Sequence, residues 1–315
     1  MKYLVGDIGA TWARLAVASE STLLAKEVVP LARFGSAVEL VRFALTHFDL
    51  KEVSGACLAV AGPASEDGIS ITNGSLEFEA DQLTRLLGTH TYLVNDFCAL
   101  GHAVPHLTNL FRLGGGAEQG RGGKALLGPG TGLGMSILVP VGERDWMVVP
   151  SEGGHADLAA GSPLEQELVG VLHSRFEHVC WETVLSGSGL VNLYRAVAAI
   201  WGAPAEDLTP EQVSSAGIDI SDPMCHQTLE LFCGFLGAAA GNLAVTLCAQ
   251  GGVYLGGGIL PHLRDFLAQS AFRRRFEERG AVSQLIQPIP VYLIQDQQPG
   301  LLGAWRCLLT RLRQA

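Results

Sequence analysis

No CxxC pair occurs among the seven cysteines, at 57, 98, 180, 225, 233, 248 and 307, and no set of Cys and His has zinc-ligand spacing. An odd, unclustered set fits buried thiols in a reducing cytosol. Positive charge is scarce. With 21 Lys and Arg against 31 Asp and Glu, the net charge is −10, which argues against a general nucleic-acid or acidic-membrane binder. The one basic cluster, Arg273-Arg274-Arg275 with Arg279, reads as a solvated helix face. The N-terminus lacks a basic stretch followed by an uncharged core, because Asp7 interrupts it, so no signal peptide is read. A Walker A loop is missing too: Gly123-Lys124 is followed by Ala125, with no glycine at the required upstream position.

What is present is an apolar, glycine-rich chain. Of 315 residues, 48% are apolar and 17% charged, the balance of a globular protein of one large or two modest domains. Residues 231–249 carry no formal charge and are long enough to raise a membrane span. Gly234, Gly237 and Gly241, three and four apart, make a flat stripe that another backbone can approach. Without flanking basic anchors, the expected reading is a helix buried inside a domain.

Periodicity predicts strands over 3–8, 13–18, 22–30, 55–61 and 91–95, with helices over 37–47, 79–87 and 97–103. Strands follow over 124–128, 133–141 and 145–149. Helices come next over 163–174, 188–201, 209–217 and 223–249. The chain ends with strand 252–256, helices within 261–278, strand 290–294 and helix 300–312. This alternation indicates an α/β protein with a mixed sheet in each half. The glycine-rich stretch 106–123 is the expected domain border. A Gly/Thr turn at 9–11 is echoed at 130–132, each followed by an apolar strand.

Three glycine loops and a polar set could carry chemistry. Gly6-Asp7-Ile8-Gly9-Ala10-Thr11 sits between two strands that can pair as a hairpin. Its backbone N–H groups and Thr11 hydroxyl can face phosphate, and Asp7 can hold hydrated Mg²⁺; an ordinary turn is the competing reading. Gly128-Pro129-Gly130-Thr131-Gly132-Leu133-Gly134 leads into a strand and fits the dinucleotide fingerprint poorly, so a phosphate loop and a plain hairpin stay open. Gly251-Gly252 through Gly256-Gly257-Gly258 can receive an adenine or ribose, or simply turn the chain. Asn95-Asp96 ends a strand where a helix begins. There Asp96 is either a general base or an N-cap. Glu152 and His155 sit on a flexible turn, and Glu182 precedes Leu185-Ser186-Gly187. Carboxylates, an amide and an imidazole together suit a ligand with many hydroxyls.

These motifs together resemble the bacterial glucokinases of the sugar kinase–actin–Hsp70 superfamily, of the kind lacking a zinc cysteine cluster. The resemblance spans nearly the whole chain. It includes Gly6-Asp7-Ile8-Gly9, Ala13-Arg14-Leu15-Ala16, Thr72-Asn73, Asn95-Asp96-Phe97, Gly130-Thr131-Gly132-Leu133-Gly134, Glu152-Gly153-Gly154-His155, Leu185-Ser186-Gly187 and Pro299-Gly300-Leu301-Leu302-Gly303. It implies a two-domain actin-like (ribonuclease H-like) α/β fold with a cleft. The small domain covers 1–106 plus the C-terminal helix 299–315, and the large domain covers 107–298. It further implies ATP with Mg²⁺, the metal held through water by Asp7. Gly9, Ala10, Thr11, Gly130, Thr131, Gly132, Gly256 and Gly257 would contact the nucleotide. Glucose or a related hexose would be held by Asn95, Asp96, Glu152, His155 and Glu182, with Asp96 the base for the 6-hydroxyl. A cytoplasmic homodimer is implied, with no nucleic-acid or membrane partner.

The sequence departs from that pattern in the first loop, which usually reads Gly-Gly-Thr-Asn and here reads Gly9-Ala10-Thr11-Trp12. Ala10 adds a β-carbon where positive φ could be needed, and Trp12 replaces an amide with an indole. Leu76 stands where the family often has Trp. Three readings remain: an active glucose kinase, a sugar-binding regulator on a kinase scaffold, and a kinase for another hexose.

Overall fold

The computed structural model describes residues 1–62, 68–71, 76–117, 121–143 and 145–314. Thr72, Asn73 and Gly120 lie outside the described residues. Two compact units form, one of Met1–Thr108 with Asp296–Ala315 and one of Asn109–Gln295.

The first unit opens with β1 (Tyr3–Ile8), β2 (Trp12–Ala18), β3 (Leu23–Pro30), α1 (Ala37–His47) and β4 (Ala56–Val60). A small hairpin of β5 (Ile69–Ser70) and β6 (Glu77–Phe78) follows, then α2 (Ala80–Leu87), β7 (Thr91–Asn95) and α3 (Asp96–Ala103). Its sheet runs β3-β2-β1-β4-β7. The apolar runs Tyr3-Leu4-Val5 of β1 and Ala56–Val60 of β4 fit strands covered on both faces. Helix starts and stops follow local chemistry. Ser36 accepts from the Glu39 N–H to cap α1, and α2 ends on Gly88 at φ 66°.

The second unit contains β8 (Leu110–Arg112), β9 (Lys124–Pro129), β10 (Leu133–Val141), β11 (Asp145–Ser151), α4 (Pro163–His173), α5 (Gly187–Trp201) and α6 (Pro210–Ile218). It continues through α7 (Pro223–Leu247), β12 (Val253–Leu255), α8 (Arg264–Gln269), α9 (Phe272–Glu277), α10 (Ser283–Ile286) and β13 (Val291–Ile294). The last helix, α11 (Pro299–Gln314), belongs to the first unit. The second sheet runs β11-β10-β9-β12-β13-β8. Apart from β8, it repeats the first: three antiparallel strands, then two parallel ones. The echo of Gly/Thr turns is therefore a repeat of topology, each turn joining the first two strands of its sheet.

Helix α7 is long and apolar enough to cross a membrane, yet 78% of its most apolar window is buried within the protein. Its glycine stripe explains why. A β-carbon at Gly237 would collide with the Phe272 carbonyl of α9, and one at Gly241 with the Arg279 guanidinium. The expected solvated basic face is corrected here. Arg274 is 66% exposed, but Arg275 is only 11% exposed and pairs with buried Glu165 at 2.9 Å. Arg279 donates to the Ala238 carbonyl of α7 at 2.7 Å. The flat stripe lets these side chains lie along α7 while carboxylates and carbonyls take their charge. The cysteine expectation also needs amendment: five are buried, but Cys98 is partly exposed and Cys248 exposed at the end of α7.

The stripe yields a paired prediction. Gly237→Ala forces a β-carbon onto backbone and should lower unfolding free energy by roughly 1–3 kcal/mol. Gly234→Ala meets only the Arg275 Cγ at 3.8 Å and should be neutral or stabilising by up to about 1 kcal/mol through helix propensity. Urea unfolding of both variants checks this; equal effects would contradict the packing account.

Candidate active site

In the first unit the polar residues gather at the carboxyl ends of β1 and β7, where open α/β sheets receive ligands. The turn after β1 is closed by the Gly9 N–H donating to the Trp12 carbonyl at 3.0 Å and the Leu31 N–H donating to Thr11 at 2.8 Å. Thr11 is exposed and Trp12 is 46% exposed. Neither Gly9 nor Ala10 has positive φ, so Ala10 carries no backbone strain, contrary to expectation. Asp7 lies near the end of β1, cross-strand from Arg14, whose Nη1 stands 3.3 Å from its Oδ2. Gly300 of α11 presses on it: a β-carbon there would lie 2.7 Å from the Asp7 carboxyl carbon. Burial raises the Asp7 pKa, against the pull of Arg14.

Asn95 and Asp96 divide the roles the sequence left open. Asn95, not Asp96, caps α3: its Oδ1 accepts from Phe97 N–H at 2.9 Å and Cys98 N–H at 3.2 Å. Its Nδ2 donates to the Gly62 carbonyl at 2.9 Å, leaving one amide hydrogen for a ligand. Asp96 stands at the first helical position. Burial pushes its pKa up to about 6, and the Asp7 charge adds to that push. The Phe97 N–H donating to its Oδ1 at 2.9 Å opposes it.

In the second unit the other residues expected to hold a sugar, Glu152, His155 and Glu182, belong to segments that pack on the start of β10. The Gly130 N–H donates to the Gly132 carbonyl at 2.8 Å, and the Gly187 N–H at the start of α5 donates to Gly130 at 2.9 Å. Glu182 accepts from the Leu133 N–H at 2.7 Å, and a β-carbon at Gly132 would strike its carboxylate. Glu152 opens a 3-10 turn, Gly153–His155. That turn is less free than expected: Gly154 lies on the Leu133 carbonyl, and a β-carbon at Gly153 would stand 2.9 Å from the Met135 sulfur. His155 Nε2 and Glu152 Oε2 are 4.0 Å apart and both exposed. Thr131 is exposed at the loop tip. The third loop stacks backbone-on-backbone on the second, Gly256 against Gly128 and Gly257, at φ 87°, against Pro129. A β-carbon at Gly130 or Gly258 would meet nothing within 4 Å, so the space above both is open.

Arg14 and Gly300, both set against Asp7, received no role in the sequence reading. The pairing of Asp7 with Arg14 was available from the hairpin register; the Gly300 contact was not, because it spans almost the whole chain. No group of three or more His, Cys, Asp and Glu forms a metal site among the described residues.

A sequence model of glucokinase matches residues 4–311. The chain belongs to the glucokinase family. A glucokinase of Photorhabdus laumondii is 40% identical over 98% of this chain and 97% of its own length. One from Cronobacter sakazakii is 41% identical over 99% and 98%. A solved glucokinase from an Antarctic psychrotroph superposes with a TM-score of 0.88 at 35% identity, covering 98% of this chain and 99% of that one. A ROK-family glucokinase from Streptomyces griseus, solved with glucose and AMPPNP, superposes at 0.68 with 19% identity over the full length of both, a likeness of fold alone. The fold is thus the α/β, actin-like architecture of the sugar kinases.

The raised Asp96 pKa is also a statement about stability. The folded pKa of about 6 lies above the unfolded value, so the benefit of protonation is present at low pH and lost as pH rises through 6. Ionised Asp96 then costs about 3 kcal/mol. Asp96→Asn should therefore raise Tm relative to the parent at pH 8, with the gain shrinking toward pH 5. Thermal melts at both pH values check this, and a pH-independent difference would contradict the burial of the charge.

Proposed function

We infer that this protein transfers the γ-phosphoryl group of ATP to the 6-hydroxyl of glucose. Family membership along nearly the whole chain carries the reading, and the site chemistry supports it. Asp96, with a pKa near 6, is mostly ionised at neutral pH yet basic enough to take a hydroxyl proton. In this reading it accepts the proton of the 6-hydroxyl as that oxygen attacks the γ-phosphorus. Asn95 offers its remaining amide hydrogen to a sugar hydroxyl. Glu152, His155 and Glu182 take the other hydroxyls, with Glu182 held in place by the Leu133 N–H. Phosphoryl transfer of this kind depends on positioning and charge neutralisation.

Asp7 suits a hydrated Mg²⁺. Its carboxylate is partly buried and close enough to Asp96 for its charge to raise that group's pKa, so a cation there relieves a repulsion that Arg14 offsets only in part. The ion, when bound, neutralises phosphate charge. Thr11 and Thr131 offer exposed hydroxyls to phosphate, beside the backbone of Gly9, Ala10, Gly130 and Gly132. Gly256 and Gly257 would face the nucleoside, although packing on Gly128 and Pro129 already accounts for their lack of side chains. The regulator alternative, motivated by Ala10 and Trp12, loses the first of these with the ordinary backbone of Ala10. We further propose a cytoplasmic homodimer, in keeping with seven free thiols.

The decisive experiment is ADP release from Mg-ATP with and without glucose, beside Asp96→Ala. Glucose-dependent release that falls by at least about 100-fold in the variant is expected; glucose-independent release, or an active variant, would overturn the reading. Competition by other hexoses tests the sugar. Gly130→Ala and Gly9→Ala meet no obstacle within the chain. Both should melt as the parent does while raising the KM for ATP about tenfold or more. Unchanged ATP kinetics would remove these glycines from the nucleotide site.

A further inference from the structure

Trp12 closes the turn after β1 with its backbone and leaves its indole unused. The Gly9 N–H donates to the Trp12 carbonyl at 3.0 Å, and Trp12 pairs with Pro30 of β3. Strand alternation fixes the direction of its side chain. On β2, Ala13, Leu15 and Val17 enter one core with Leu4 and Ile8 of β1. Ala16 and Ala18 enter another, with Val5 of β1 and Leu301 of α11. Trp12 and Arg14 lie on the same face as Ala16, and Asp7 lies there too, two residues past Val5.

Helix α11 covers that face only as far as Asp7. It starts at Pro299, seats Gly300 on the Asp7 carboxylate and runs back to Trp305, whose Nε1 donates to the Ser19 carbonyl past the far end of β2. Trp12 stands beyond the start of the helix and is 46% exposed. Asp7 faces Arg14 across the hairpin. Trp12 is therefore the diagonal neighbour of Asp7, about 7–8 Å away and within reach of an aromatic side chain. Opposite Trp12 the hairpin has Gly9, with no side chain to fill the space. The indole N–H finds no hydrogen-bond partner among the described residues. An indole offers one donor and no acceptor, so its partner must accept. The sheet order narrows the choice. By three strand spacings, about 14 Å, β2 is separated from β7 and its Asn95-Asp96 pair. The sugar-holding pair and the indole thus face different parts of a ligand, with Asp7 between them.

We propose that Trp12 binds the phosphoryl donor, its indole N–H hydrogen-bonded to a phosphate of Mg-ATP that is not transferred. The inference deepens the kinase reading and rests on it for the identity of the nucleotide. The reacting phosphoryl belongs on the Asp96 side of Asp7, and the phosphates behind it extend past Asp7 toward β2. There the N–H donates to a phosphate oxygen, and the ring shuts water from the outer side of that phosphate. The contact is the same before and during transfer, so it lowers the KM for ATP and leaves kcat alone. The departure from Asn at this position then exchanges one N–H donor for another.

The test compares the full-length protein with Trp12→Phe, which keeps a ring and removes the N–H. Loss of a hydrogen bond to a charged group should raise the KM for ATP about tenfold or more. The kcat, the KM for glucose and the melting temperature should stay as in the parent. A second readout needs no turnover. Saturating Mg-AMPPNP should shield the parent's tryptophan emission from acrylamide quenching, and Trp12→Phe should lack that share of the shielding; glucose alone should give none of it. Equal shielding in the two proteins, or an unchanged KM for ATP, would overturn the contact. A raised KM for glucose at constant KM for ATP would move Trp12 to the sugar and overturn it as well. A parent that releases no ADP yet shows the Trp12-dependent shielding would sink the kinase reading and leave the nucleotide contact standing.

Discussion

Asp7 and Asp96 are two carboxylates of like charge, partly buried and close enough for one to raise the pKa of the other. Folding alone would not gather them, since each loses solvation and they repel. The first unit supplies what holds them. The hairpin register sets Arg14 against Asp7, Asn95 takes the helix cap, and Gly300 lets α11 descend onto the carboxylate. The remaining repulsion is a strain that a phosphate-bound cation and a sugar hydroxyl would relieve. This joins the buried charge to the proposed chemistry through one cause.

Glycine plays the matching part in the second unit. Where Gly128 meets Gly256 and Gly257 meets Pro129, two loops touch through backbone alone. Where Gly132 meets Glu182, the missing side chain makes room for a carboxylate that fixes the start of β10. Within these loops, Gly130 and Gly258 have nothing above them and are left without an internal reason. That contrast separates glycines required by packing from glycines free to admit a ligand.

Much of this was legible along the chain because it is local. Alternating strands and helices, the Gly/Thr turns and the strand-to-helix junction at Asn95-Asp96 are encoded within a few residues. The cap was not assignable from sequence, since Asn and Asp are equally good there. Long-range partners were invisible: Glu165 for Arg275, Leu133 for Glu182 and Asp7 for Gly300. The basic cluster misled for the same reason, as the α7 stripe that shelters it lies more than thirty residues upstream. The strain expected of Ala10 failed because its turn closes through Gly9 and Trp12 without left-handed backbone.

The most direct test of this account is a carboxyl-carbon NMR titration of labelled aspartates in the ligand-free protein and in Asp7→Asn. The account predicts that Asp96 titrates near 6 in the parent and at a lower pH once the Asp7 charge is removed. An Asp96 that titrates near the ordinary value of about 3.9 in both proteins would contradict it.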